Sequence, residues 1–215
     1  MRCRFTFALC AALLAATVAL PAAAQQAPFP ERPTIPEPPK IPEPPKKLPF
    51  VRHGDQTKDL DFLFGALKAA PDEETAKAVE QRIWAVWALS KSDTTNVLMS
   101  RARAAIEKKD LDLAIKLLSA VVKIKPSYVE AWNRRATIYY MKKEYGRSLH
   151  DIAEVLKREP RHFGALSGLG LILQDLGDDK LALDAYRRAV AVYPRLQRIP
   201  DLVKTLSEKV DGRDI

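Results

Sequence analysis

The chain of 215 residues has only two cysteines, eight glycines and 7% aromatic side chains. Both cysteines, Cys3 and Cys10, lie within the first ten residues, inside a segment that reads as a removable leader. The rest is free of cysteine, which excludes disulfides, thiolate zinc sites, iron–sulfur clusters and cysteine nucleophiles there. Scarce glycine and few β-branched runs argue against a sandwich, a barrel or a nucleotide-binding α/β sheet. Histidine is sparse as well: His53, His150 and His162 are scattered, with no H-x-x-x-H or HExxH spacing to assemble a metal site or a triad. The sequence nominates no enzyme, no catalytic residue, no metal ligand and no cofactor.

The amino-terminal segment reads as an export signal. Arg2 and Arg4 precede an apolar run from Phe5 to Leu20, shorter than the roughly 20 residues that span a bilayer. Ala22-Ala23-Ala24 then supplies the small–x–small pattern of a cleavage site. Residues 1–24 are expected to be removed after Ala24, leaving Gln25 first; an uncleaved membrane anchor is the alternative. Leu9 before Cys10 is unlike the small residue that lipoprotein signals carry there. The mature stretch holds 33 basic and 27 acidic side chains, a net +6. A cysteine-free exported chain of this composition predicts a periplasmic protein with no stable membrane span after processing.

Proline is abundant, at 16 residues, and concentrated between Pro28 and Pro49, where the hexapeptide IPEPPK occurs twice, at 35–40 and 41–46. Fixed φ and missing donors bar helix and sheet, so residues 25–58 are expected to be a polyproline II or disordered linker. Two readings stand: a semi-rigid stalk, or a ligand for a groove that recognises PxxP spacings.

From residue 95 onward a 34-residue period runs without a gap. Pro126, Pro160 and Pro194 follow it, as do Ala102, Ala136 and Gly170, then Ala114, Ser148 and Ala182, and finally Leu118, Ile152 and Tyr186. Small residues at two of these positions let paired helices approach closely, and each proline ends a second helix. In the middle unit, Trp132, Ala136, Tyr139, Tyr145, Ser148, Ile152, Val155 and Pro160 match a known signature. The chain thereby resembles the tetratricopeptide repeat (TPR) family, departing from it at Arg135, where Leu is usual, and at Ser148, where Ala is usual. The resemblance implies an all-α fold: a right-handed superhelix, or α-solenoid, of three repeats, 95–128, 129–162 and 163–196, with a concave groove.

Such arrays need caps, because each unit buries its apolar face only against neighbours. Residues 59–94 read as a degenerate helical pair split by Pro71, with Trp84 and Trp87 expected to pack on the first full repeat. Residues 197–215 read as a closing helix and tail, with Leu202, Val203, Leu206 and Val210 on one face. Gly164, Gly168 and Gly170 have the look of a phosphate loop, but they fall within a helix rather than after a strand. Gly164 and Gly168 leave bare surface on the groove, to be filled by a peptide or by the closing helix, or serving only close packing. Asp178-Asp179 reads as a solvated turn.

In the family the first helix of each unit lines the groove. By phase this nominates Arg103, Asn133, Arg134 and Tyr140 as partner-binding residues, with the arginines facing solvent. The family's carboxylate clamp is not matched, since Met99, Gly164 and Gly168 stand where its polar residues would be. The first repeat holds seven basic and three acidic residues, which favours an acidic partner. Nucleic acid is not expected, because basic–aromatic interleaving is lacking. The expected function is a periplasmic protein-interaction module that binds a protein or peptide as scaffold or assembly factor. The alternatives are a structural spacer or self-associating envelope component that uses the stalk, and an accessory subunit of an envelope enzyme.

Overall fold

A computed structural model describes residues 56–212, and all regular structure within them is helical. The export signal, its cleavage point and the proline-rich stretch lie outside the described residues. Among the described residues nine helices follow one another: α1 (Gln56–Lys68), α2 (Glu73–Ala88), α3 (Asp93–Glu107), α4 (Leu111–Ile124), α5 (Val129–Met141), α6 (Tyr145–Arg158), α7 (Phe163–Asp175), α8 (Asp179–Val192) and α9 (Ile199–Val210). The pairs α3–α4, α5–α6 and α7–α8 are the three repeats, and successive pairs stack through α4 on α5 and α6 on α7.

Local chemistry sets the ends of these helices. Asp72, Ser92, Asp110 and Asp178 each accept a hydrogen bond from a backbone N–H three residues on, at the start of α2, α3, α4 and α8. Asp178 is thus a helix cap, as a polar turn residue should be. Each intra-repeat turn closes through a left-handed residue, at Lys109 (φ 61°), Lys143 (φ 60°) and Gly177 (φ 84°), again 34 residues apart. There Asp110 N donates to Ala105 O at 2.9 Å, Glu144 N to Tyr139 O at 2.8 Å and Asp178 N to Leu173 O at 2.9 Å. These are the closures of a Schellman motif. Only the third turn uses glycine, so the first two carry the cost of a Cβ in this region.

Small residues bring paired helices together. Ala102, Ala114, Ala136, Ser148 and Ala182 are all buried, and Ser148 Oγ donates to Ala136 O at 2.7 Å. Gly170 is the extreme case: a Cβ there would stand 2.3 Å from Cε1 of Tyr186. Between units, Trp132 Nε1 donates to Pro126 O at 2.9 Å. Arg135, the departure from the usual Leu, donates to both Asp151 oxygens (2.7 and 2.8 Å) and to Ser119 Oγ of the preceding unit at 2.9 Å. At the far end α9 covers α8, burying Ile199 and Leu206, and acts as the expected closing helix.

The amino-terminal pair does not behave as expected. Trp84 and Trp87 pack where the second repeat joins the third, not on the first. Trp87 stacks on His162 with ring centroids 4.0 Å apart, and Trp84 meets Phe163 edge-on at 5.4 Å. Tyr193 donates from its hydroxyl to Glu80 at 3.2 Å, and Arg161 to Asp61 at 2.6 Å while lying over the Phe64 ring. Arg195 donates to the carbonyl of Ala70 at 3.1 Å. The α1–α2 hairpin therefore lies along the loops that join the repeats. The physical reason is the distribution of aromatic rings. His162, Phe163 and Tyr193 lie near the end of one repeat and the start of the next, and with the two tryptophans they form a buried cluster.

Candidate functional site: the concave groove

The first helices of the second and third repeats, α5 and α7, flank a depression of about 40 Å³. Asn133, Ala136, Thr137 and Tyr140 line it from α5, Gly164, Gly168 and Leu171 from α7, and Ile152 of α6 lies at its base. Gly168 keeps it open: the nearest heavy atom to an added Cβ is Ile152 Cδ1 at 3.6 Å, ordinary contact distance. Gly164 has a different role. Trp84 Cη2 lies 2.9 Å from where its Cβ would stand, so α2 presses against this end of the depression. The space over Gly164 is filled by the chain's own α2 rather than by the closing helix.

The four nominated residues fall into two groups. Arg134 and Asn133 are buried, which corrects the expectation of a solvent-facing Arg134. Arg134 Nε donates to Glu130 at 2.7 Å, and Asn133 Nδ2 donates to the other oxygen of the same carboxylate at 3.3 Å. Burial pushes the Glu130 carboxyl up, against the pull of Arg134. The sequence carried the signal for this pair in its i,i+4 spacing. Helix phase says nothing of the α2 helix that packs on α5. Arg103 is half-buried, and its Nε is sealed from solvent without a hydrogen-bond partner. Tyr140 is half-buried, its phenol pushed up to about 12 by burial first and by the nearby Asp175 carboxylate second. It stays neutral at physiological pH, able to donate or to accept. The structure brings Asn133 and Tyr140 to one depression and leaves Arg103 and Arg134 outside its lining.

Known proteins share this architecture and sequence. A TPR repeat-containing protein of Rhizobium etli is 42% identical over 153 residues, covering 71% of this chain and 75% of its own. The chain belongs to the tetratricopeptide repeat family. The family's general repeat description matches residues 144–196 of this TPR protein, and that of the tetratricopeptide repeat protein 21 ARM repeat matches residues 56–148. The small glutamine-rich tetratricopeptide repeat-containing protein 2 of Saccharomyces cerevisiae is 26% identical over 95 residues, covering 44% of this chain and 28% of its own. Among solved structures, the Sgt2 TPR domain of Aspergillus fumigatus superposes with a TM-score of 0.52 at 22% identity, covering 58% of this chain and 83% of that one. The first TPR of Spaghetti (RPAP3), bound to the HSP90 peptide SRMEEVD, does so with 0.53 at 17%, covering 56% and 96%. These two likenesses establish the TPR solenoid fold. Among the described residues of this TPR protein, no helix is long and apolar enough to cross a membrane.

Proposed function

We propose that the protein is a non-enzymatic interaction module of the periplasm that holds an extended peptide segment of a protein partner in its concave groove, as scaffold or assembly factor. The observation that carries this reading is the depression between α5 and α7, kept open by Gly168. Its volume suits one small apolar side chain, with Tyr140, Thr137 and Asn133 placed beside it for the peptide's polar groups. That a TPR neighbour is recorded with the HSP90 peptide SRMEEVD supports peptide binding as the general mode. Met99, Gly164 and Gly168 offer no carboxylate clamp, so a side chain rather than a terminal carboxylate is the anchor here. Acidic residues in the partner are favoured by the basic first repeat and by Arg103, whereas Arg134 is already neutralised by Glu130.

The burial of Arg134 decides the choice of test. Arg134→Glu would set two carboxylates together in the interior, so loss of binding would say nothing about contact. Gly168→Leu fills the depression from a helical position with room for a Cβ. Crosslinking pulldown from the native envelope should capture a defined protein with the wild type and lose at least tenfold with Gly168→Leu, about 1.4 kcal/mol. Undiminished capture by the folded variant overturns the groove reading. If deletion of residues 28–49 abolishes capture instead, recognition belongs to the proline-rich segment.

Export rests on Arg2, Arg4, the apolar run and Ala22-Ala23-Ala24. The intact mass of the protein from a periplasmic extract should correspond to a chain beginning at Gln25. Retention of Met1 in a membrane fraction would make the segment an anchor.

A further inference from the structure

The three repeats differ at the face that looks toward the preceding unit. Ala131 and Ala165 are buried there, but their counterpart Val97 is 51% exposed. Ile138 and Ile172 are buried, whereas Ala104 is exposed, and Asp151 and Ala185 are buried, whereas Leu117 is half-buried. In the second and third repeats these positions lie at the stacking seam. Among the described residues, no unit stacks before the first repeat, because the α1–α2 hairpin lies on the loops that end the second and third repeats.

Arg101 makes the vacancy chemical. Its counterpart Arg135 finds its acceptors at this seam, from Ser119 of the unit before and from Asp151 of its own. Arg101 is exposed, Leu117 stands in the place of Asp151, and no described carboxylate lies within ion-pair distance of it. The face therefore combines Val97 and Leu117 with a guanidinium that has no described carboxylate beside it, and Ile124 (55% exposed), seven residues on from Leu117, lies on the same side of α4, in a repeat of seven basic and three acidic residues.

A complementary surface exists on the same chain. Phe62 of α1 is 71% exposed, the most exposed large hydrophobic residue of those described. One turn on, nothing lies within 4 Å of an added Cβ at Gly65, so the surface beside the ring is open. Asp59, one turn before, shares the face by its spacing. The hairpin region, residues 59–94, holds seven acidic and four basic side chains.

We infer that the Phe62 face of α1 in one copy docks on the open leading face of the first repeat in a second copy. The ring packs against Val97, Leu117 and Ile124, and Asp59 supplies the carboxylate that Arg101 lacks. Pairing two leading faces is disfavoured, since it would set each Arg101 against the other's basic repeat. The two surfaces differ, so the contact is head-to-tail and propagates beyond a dimer. Opposite charges make it weaken as salt rises.

Sedimentation velocity of the processed full chain, from micromolar to submillimolar concentration, tests this. Wild type should associate reversibly, with species larger than dimers, and the dissociation constant should rise several-fold from low to physiological salt. Phe62→Lys and Val97→Lys should each be monomeric over that range with unchanged helical circular dichroism. Mixed together they should form a one-to-one dimer and nothing larger, because each retains the surface the other has lost. Ala104→Lys replaces Val97→Lys if the latter loses helicity. A monomeric wild type, variants that associate like the wild type, or a mixture that stays monomeric would each overturn the inference, the last leaving some other contact or another protein as the occupant. None of these outcomes bears on the groove.

Discussion

The melting temperature should fall by roughly 6–12 °C as pH is lowered from 6.5 to 4, and His162→Asn should lack most of that fall. His162 precedes α7, and its Nδ1 accepts from Ala165 N at 3.0 Å, which leaves the ring proton on Nε2. The ring is wholly buried against Trp87 and Trp84, and burial pushes it down from 6.5 to about 3. The unfolded chain takes up a proton near pH 6.5 that the native ring refuses until about 3. The stability is therefore complete above pH 6.5 and is lost as pH falls, by roughly 3 kcal/mol at pH 4. Asn in the same place can still cap the helix but does not titrate. It loses the stacking contact with Trp87 at every pH, so the informative quantity is the slope of melting temperature against pH. Equal slopes in the two proteins would acquit His162.

Gly170→Ala should destabilise the fold by about 3 kcal/mol, even though alanine is the better helix former. The added Cβ would stand 2.3 to 2.7 Å from three carbons of the Tyr186 ring, deep in the core, where neither helix can yield cheaply. The first two repeats show the compensation. Ala102 coexists with Leu118, and Ala136 with Ile152, at the same two positions. Gly170→Ala with Tyr186→Leu should therefore recover most of the loss in a urea melt, although it gives up the hydrogen bond between Tyr186 and Gln174. If the double variant is no more stable than the single one, the clash is not the cause.

Both effects trace to features of unequal visibility in the sequence. The 34-residue spacing of prolines and small residues was enough for the all-α solenoid, and the amphipathic pattern near the end was enough for α9. Each depends on contacts between neighbours in the chain or between adjacent units, which periodicity reports directly. The position of the hairpin depends on Trp84 meeting Gly164 and Trp87 meeting His162, rings and gaps about 80 residues apart, and nothing periodic encodes that. The same gap explains the groove. Helical phase places Asn133, Arg134 and Tyr140 on one side of α5, but phase carries no information on what covers a face, so it predicts an open Arg134 where α2 packs on α5 and Glu130 neutralises the guanidinium. The lysines in left-handed turns were likewise hidden, since lysine gives no hint of a positive φ.

Closure of the hairpin on the second and third repeats also alters how the chain must fold. A stack whose units touch only their neighbours can grow from any point and lose its ends one unit at a time. Here Asp61 is tied to Arg161, and Ala70 to Arg195, across 100 and 125 residues of sequence. The two termini of the array are thus held by the same set of contacts, and fraying at one end exposes surface belonging to the other. Contacts of such separation form late and slowly, because the chain between them must be ordered first. The molecule gives up the rapid local assembly of an open stack and gains a single cooperative unit, in which the last contacts made are those that hold α2 against the groove.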